Sequence, residues 1–271
     1  MDMEDGCQLL VFRKECFLDN NFIERHLRQL KNIINLGYQK MRNKYKIINV
    51  DRMGDEEDFL EEMGITDGNQ DFYFFAFVGP ESMIESLKRN NCTRSSRTLD
   101  AASFDIPAQY VDRLHRSVDA KVDLKFVDKD DVVSENEQDR IVGTVAIRTP
   151  PERSDGKSGA FVIQLTAITS FLRGGGQKML NLVLKYVLDN EKSPFFREKL
   201  KNAGYECLIV EAEYVLEHDL LNFYRKCGFT INTSKLVKTG PRGKILDPAF
   251  TDRITATSDF HIVYIDMIID L

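Results

Sequence analysis

Apolar residues fall along this chain in two alternating patterns, short strand-length runs and stretches with a three- and four-residue period. Leu9–Arg13 reads as a short strand, and Asp19-Asn20-Asn21 supplies side chains suited to capping a helix start. Phe22, Ile23, Leu27, Leu30, Ile33, Ile34, Tyr38 and Met41 then form one helical face, with Arg25, Arg28, Lys31 and Lys40 on the other. The acidic stretch Asp55–Glu62 reads as a solvated helix or loop. Phe72–Val78 is a strand that Gly79-Pro80 ends. The pattern weakens over 81–119, which reads as a partly helical insertion. Val122–Val127 and Ile141–Arg148 are strands flanking a charged linker, 128–140, expected as an exposed hairpin loop. After a polar loop (149–159), Ala160–Thr169 is the clearest strand in the chain.

The second half has a different rhythm. Three glycines lead into a helix carrying Leu180, Val183, Leu184, Val187 and Leu188 on one face. Strand Cys207–Val215 follows, then a short helix at 217–226 that Gly228 stops in a left-handed conformation. A strand starts at Phe229, a basic loop covers 235–257, and the apolar run Phe260–Ile269 closes the chain. Strands that read as antiparallel thus precede a β-α-β-α-β unit, which predicts an α/β (α+β) protein with one sheet and helices on its faces.

At 271 residues, 42% hydrophobic and 30% charged, the chain is expected to fold as one domain (1–271), and disorder or low complexity is excluded. No apolar run nears the roughly 18 residues needed to span a bilayer, and the acidic start MDMEDGCQLL is unlike a secretory leader, so no membrane association is expected. Five cysteines without a CxxC pair fit reduced thiols and a cytoplasmic protein, with the nucleus as the alternative. A net charge of −6 argues against direct nucleic-acid binding.

Candidate chemistry concentrates at Arg173-Gly174-Gly175-Gly176-Gln177-Lys178, where a strand becomes a helix. A helix start leaves backbone N–H groups unpaired, the dipole favours negative charge there, and the missing side chains admit a phosphate. A ligand-free glycine turn is the competing reading. A dinucleotide fingerprint would need glycine where Met179 stands, and Gly243-Lys244 is followed by Ile245 rather than Ser or Thr, so neither nucleotide loop is formed.

The glycine turn resembles the acetyl-coenzyme A pyrophosphate loop of the GNAT superfamily of N-acetyltransferases, Gln/Arg-x-x-Gly-x-Gly/Ala, with Arg173 and Gly176 matching and Lys178 replacing the last small residue. FYRKCGF (Phe223–Phe229) is similar to the family's second signature, at the expected distance. The resemblance covers about 141–271 well, as a cofactor-binding half, and Leu9–Val78 loosely. It implies a GNAT-like single mixed, mostly antiparallel sheet with helices on both faces and an insertion after the second strand. It further implies transfer of an acetyl group from acetyl-CoA to an amine acceptor, a small molecule or a peptide. A non-catalytic acetyl-CoA-binding sensor or interaction module of the same fold is the alternative.

By that resemblance, the backbone from Arg173 through Gly174, Gly175, Gly176, Gln177, Lys178 and Met179 holds the diphosphate, and the strand edge Thr166-Ala167-Ile168 pairs with the pantetheine. Tyr224 is the expected proton donor to the leaving thiolate, its ordinary pKa near 10 leaving it protonated at neutral pH. Glu211, with Glu213 as second choice, is the expected base; the two lie on one face of an otherwise apolar strand, and solvent-facing acids are the competing reading. Glu217 stands where the family often has Asn. His26, His115, His218 and His261 are isolated, so no metal site is expected, and Cys227 lacks a positioned partner for nucleophilic work. The insertion and the 235–257 loop are the expected builders of the acceptor site.

Overall fold

The computed structural model describes residues 6–54, 59–65, 70–82, 106, 108–120, 122–131, 133, 139–150, 159–250 and 253–271. Among these residues eight strands share one sheet: β1 (Cys7–Arg13), β2 (Phe72–Val78), β3 (Val122–Val127), β4 (Ile141–Arg148), β5 (Ala160–Ser170), β6 (Cys207–Val215), β7 (Thr230–Val237) and β8 (Phe260–Asp270). Their order is β3-β1-β2-β4-β5-β6-β8-β7. Only β1–β3 and β5–β6 run parallel; the other five neighbours are antiparallel. The fold is the mixed α/β arrangement expected, one mostly antiparallel sheet with helices on both faces.

Helix α1 (Arg28–Tyr45) covers one face, entered through a helical turn at Asn20–Phe22 and a π turn at Ile23–Leu27. Asp19 caps the entry by accepting the Phe22 N–H at 3.1 Å. Five of the eight residues of the predicted stripe are buried, Phe22, Leu27, Leu30, Ile33 and Ile34 packing on Phe12, Phe72 and Phe74 of the sheet, while Ile23 and Tyr38 pack partly buried beside them and Met41 is half-exposed. Phe12, Phe17, Phe22 and Phe74 meet at ring centroids 5.8–6.4 Å apart, mostly edge to face, a geometry that stabilises beyond the area buried.

The opposite face is covered by α2 (Ala108–Ala120), α3 (Gly175–Asp189), α4 (Arg197–Asn202) and α5 (Leu221–Lys226). All five residues of the predicted α3 stripe, Leu180, Val183, Leu184, Val187 and Leu188, lie in this second core with Val145, Ile147, Ile163 and Leu165. Gly228 ends α5 at φ +95°, as its position required.

Five expectations are corrected. β3 and β4 are not a hairpin: β3 runs parallel to β1 at the sheet edge, because β2 takes up the edges of both β1 and β4. Its linker lies partly outside the described residues. The segment 81–119 is not wholly peripheral, since α2 sends Leu114 and Val118 into the second core; most of the rest lies outside the described residues. β7 runs on to Val237, shortening the 235–257 loop; nearly every residue of this edge strand is exposed, so no burial alternation marked it. The helix expected over 217–226 is a 3₁₀ turn at Leu216–His218, a break at Asp219 (φ +54°) and then α5. Within the acidic 55–62 stretch, Phe59–Glu62 form a helical turn with Phe59 buried and Glu62 paired to Arg253 at 2.7 Å, so that part is packed rather than solvated.

Candidate functional site

The site starts with a defect in the sheet. β5 pairs with β6 only from Ala160↔Cys207 to Gln164↔Glu211, although both strands continue. On its other edge β5 carries a bulge: Thr144 opposes Thr169 and Ala146 opposes Thr166, with Ala167 at φ +50°. The bulge inserts one extra residue and increases the local twist, so β5 turns away from β6 beyond the bulge. The buried Thr144 hydroxyl donates to the Ala167 carbonyl at 2.8 Å and lies 2.8 Å from the Thr169 hydroxyl, satisfying polar groups that the bulge would otherwise strand. The result is a parallel pair that parts, leaving 166–168 on β5 unpaired toward β6. Ala167 is buried on the α1 side, whereas Ile168 packs on the other face.

The glycine turn lies at the mouth of this gap. Gly174 caps α3 at φ +73°, a conformation in which a Cβ would strain the backbone. The Gly175 N–H donates to Leu172 O at 2.9 Å, whereas those of Gly174, Gly176 and Gln177 have no partner among the described residues. The surrounding side chains are engaged. His115 of α2 donates from Nε2 to the Arg173 carbonyl at 2.8 Å. Lys178 is paired with Asp119 at 2.6 Å. Gln177 donates to the Lys226 carbonyl at 2.7 Å, tying α3 to α5. Met179 is buried in the core. The Phe223 ring lies so close that a Cβ on Gly176 would stand 3.0 Å from it. The turn therefore offers free N–H groups, with Phe223 as one wall.

The expected chemical groups come from β6 and α5. Tyr224 is only 6% exposed; its ring stacks on Tyr214 at 5.2 Å and meets Phe229 edge on at 5.6 Å. Burial raises its pKa far above the ordinary phenol range, and Tyr38, Cys227, Tyr214 and Glu213 add to this. Tyr38 belongs to α1 on the other face, so the phenol senses charge across the sheet where the strands part. Glu211 and Glu213 lie on the face away from Tyr214, as the strand period requires. Glu211 accepts from Gln164 Nε2 at 3.1 Å. Glu213 keeps an exposed edge, yet desolvation by the surrounding walls raises its pKa; Arg148 and Arg52 oppose this and Glu211 adds to it.

These arginines were not read from the sequence. Arg148 Nη1 donates to the Met63 carbonyl at 3.0 Å, and Arg52 Nη2 to the Glu62 carbonyl at 3.0 Å and the Thr166 hydroxyl at 3.4 Å. Arg253 buttresses the loop by donating to Asp51 O at 2.9 Å and Arg52 O at 3.2 Å. Arg148 ends an otherwise buried strand, IVGTVAIR, and a charge there was the available signal; nothing local marks Arg52. The described part of the 81–119 segment, α2, lies on the α3 side and not with the acids, while the 235–257 loop reaches their surroundings through Arg253.

The remaining candidates have other engagements. His218 stacks on Tyr45 at 5.3 Å, and His261 pairs with Glu217 at 3.0 Å. His26 sits near Asp131 O at 3.1 Å. Burial pushes the Cys227 thiol up to about 11, away from nucleophilic readiness. Among the described residues no group of His, Cys, Asp and Glu could hold a metal ion, and no helix is long and apolar enough to cross a membrane.

A parted parallel strand pair, a glycine-started helix at its mouth and an aromatic helix ending in a Gly-Phe turn meet on one mixed, mostly antiparallel sheet, which makes this an α/β protein. A family model described as sporulation protein RMD6 matches residues 1–269, and the chain belongs to that family. Sporulation protein RMD6 of Saccharomyces cerevisiae is 28% identical over 102 residues, 37% of this chain and 36% of that protein, so the match spans about a third of the curated relative. Among solved structures, the aminoglycoside 6'-N-acetyltransferase from Enterococcus faecium aligns over 96% of each chain at 9% identity and a TM-score of 0.35. A GCN5-related N-acetyltransferase from Kribbella flavida covers 94% of this chain and 96% of its own at 9% identity and 0.34. A GNAT family acetyltransferase from Elizabethkingia anophelis with acetyl-CoA bound covers 51% of this chain and 72% of its own at 19% identity and 0.26. Likeness this faint carries no argument about activity.

Proposed function

We propose that the protein is an acetyl-CoA-dependent N-acetyltransferase that passes the acetyl group directly to a primary amine. The observation that carries this reading is the gap between β5 and β6, with unpartnered N–H groups at its mouth and with Tyr224 and Glu213 on opposite sides of the sheet beside it. In this reading the N–H groups of Gly174, Gly176 and Gln177 take the diphosphate, and the free β5 edge at Thr166, Ala167 and Ile168 pairs with the pantetheine amides. Glu213 takes the proton from the acceptor ammonium, its raised pKa making it a stronger base than an ordinary carboxylate; Glu211, already bonded to Gln164, supports it. Tyr224, whose pKa is far above a thiol's, stabilises the departing sulfur by donating a hydrogen bond rather than by giving up its proton.

A second reading, a sensor that binds acetyl-CoA without turnover, is favoured by one observation: Tyr224 is buried in an aromatic stack beside Phe223 and Phe229. Calorimetry with acetyl-CoA and acetyl-transfer assays on the full chain and its Tyr224→Phe variant separate the two. A catalyst loses about 10²-fold in turnover with cofactor affinity retained, since general-acid or hydrogen-bond donation contributes on that order. A sensor binds equally in both forms and turns over in neither. Absence of binding heat removes both readings.

A further inference from the structure

The face of the sheet that carries Glu213 also carries positive charge, from Arg148 at the end of β4 and Arg52 beside Thr166. Among the described residues neither Arg52 nor Arg148 is in an ion pair, although both are partly buried. Arg148 spends one N–H on the Met63 carbonyl, and its Nε is buried without any partner. Arg52 spends Nη2 on Glu62 O and Thr166 Oγ1. A guanidinium carries five N–H donors, so each retains most of its donor capacity. The second half of β6 and the end of β4 put acids and arginines on one surface: Arg148, Gln164, Thr166, Glu211 and Glu213 lie on neighbouring strands, with Arg52 above them. The Gln164 side-chain oxygen is also buried and unpartnered. Desolvating unpaired donors and a guanidinium costs free energy unless a ligand restores the hydrogen bonds.

We propose that this patch is the acceptor site and that the acceptor is zwitterionic, an amino acid or a short peptide such as a dipeptide, with its amine toward Glu213 and its carboxylate forked by Arg148 and Arg52. The inference rests on the N-acetyltransferase reading for the reaction but not for the binding. Carboxylate recognition by a planar guanidinium is bidentate and geometrically selective, which a compact ammonium does not reproduce. A polyamine, which offers two cations and no anion, would meet both arginines with like charge.

The test is equilibrium binding to the full chain by saturation-transfer NMR, with L-leucine, L-lysine and glycylglycine each compared with its own amide, and cadaverine as the dication. The free acids bind about tenfold or more tighter than the amides, and Arg148→Gln and Arg52→Gln reduce that preference to less than threefold while binding of the amides is unchanged. Arg148→Lys, which keeps the charge without the fork, restores only part of the preference; it also serves if Arg148→Gln loses its circular dichroism spectrum. Equal binding of acids and amides, preference for cadaverine, or no binding of any acid overturns the inference. Acetyl-CoA calorimetry on the same samples keeps the two apart: acids that bind where acetyl-CoA does not would sink the transferase reading and leave the zwitterion site standing.

Discussion

Gly64 and Arg148 form a test of whether the loop beyond α1 is shaped around a guanidinium. Gly64 sits at φ +78°, and an ideal Cβ there would stand 1.0 Å from Arg148 Nη1. Gly64→Ala therefore imposes two separable costs. The left-handed backbone costs about 1–2 kcal/mol for any residue with a Cβ. The methyl also displaces the guanidinium from the Met63 carbonyl, and a hydrogen bond to a charged group is worth about 1.5–3 kcal/mol. The combined loss is about 2.5–5 kcal/mol. In an Arg148→Ala background only the backbone cost remains, so the same Gly64→Ala substitution costs about 1–2 kcal/mol. The double-mutant cycle thus has a coupling energy of about 1.5–3 kcal/mol. Urea unfolding followed by far-UV circular dichroism measures all four corners, which suits a chain without tryptophan. If Gly64→Ala costs the same in both backgrounds within about 0.5 kcal/mol, the guanidinium does not occupy the space against Gly64 and the reasoning fails.

Gly174→Ala destabilises by about 1–2 kcal/mol through its left-handed φ alone, since a Cβ there finds only ordinary contact with His115 at 3.7 Å; the midpoint of thermal unfolding drops by several degrees, and an unchanged midpoint refutes the strain. His26 and His218 have pKa values lowered by desolvation, so both are neutral in the fold; the stability this gives is present above pH 6.5 and is lost as pH falls below it toward the folded values. Urea midpoints measured between pH 8 and 5 show that decline, and it shrinks when both are replaced by Gln. Glu213, raised mainly by desolvation and held back by Arg148 and Arg52, places the acid limb of acetyl transfer above the ordinary carboxylate range, with activity rising as pH climbs through it. Arg148→Gln removes a lowering influence and moves that limb to higher pH; a shift to lower pH contradicts the assignment of Glu213 as base.

Hydrophobic periodicity was enough to mark the helix face from Phe22 to Ile34, the α3 stripe from Leu180 to Leu188, and most of the strands, because these segments bury one face and the burial repeats at the helical or strand period. Gly228 and the Arg173–Lys178 turn were legible for a different reason: both are backbone requirements, and only glycine meets them without strain. β7 escaped its full length because an exposed edge strand buries almost nothing, and β3 was assigned the wrong neighbour because a strand's sequence records its two faces but not the identity of the strand beside it. The parting of β5 from β6 follows from the Ala167 bulge and the Thr144–Thr169 pair, residues 25 positions apart. The arginine cluster is of the same kind. Arg52, Gly64, Arg148 and Glu213 are separated by up to 161 positions and meet only because β4, β5 and β6 are neighbours and the loop beyond α1 folds over them. The chain's own order thus determined which segments were helix, strand and glycine turn, since those depend on neighbours a few residues away. Which charges face one another, and hence what the cleft can bind, was decided by strand order and by a single bulge, both set by contacts between distant parts of the chain.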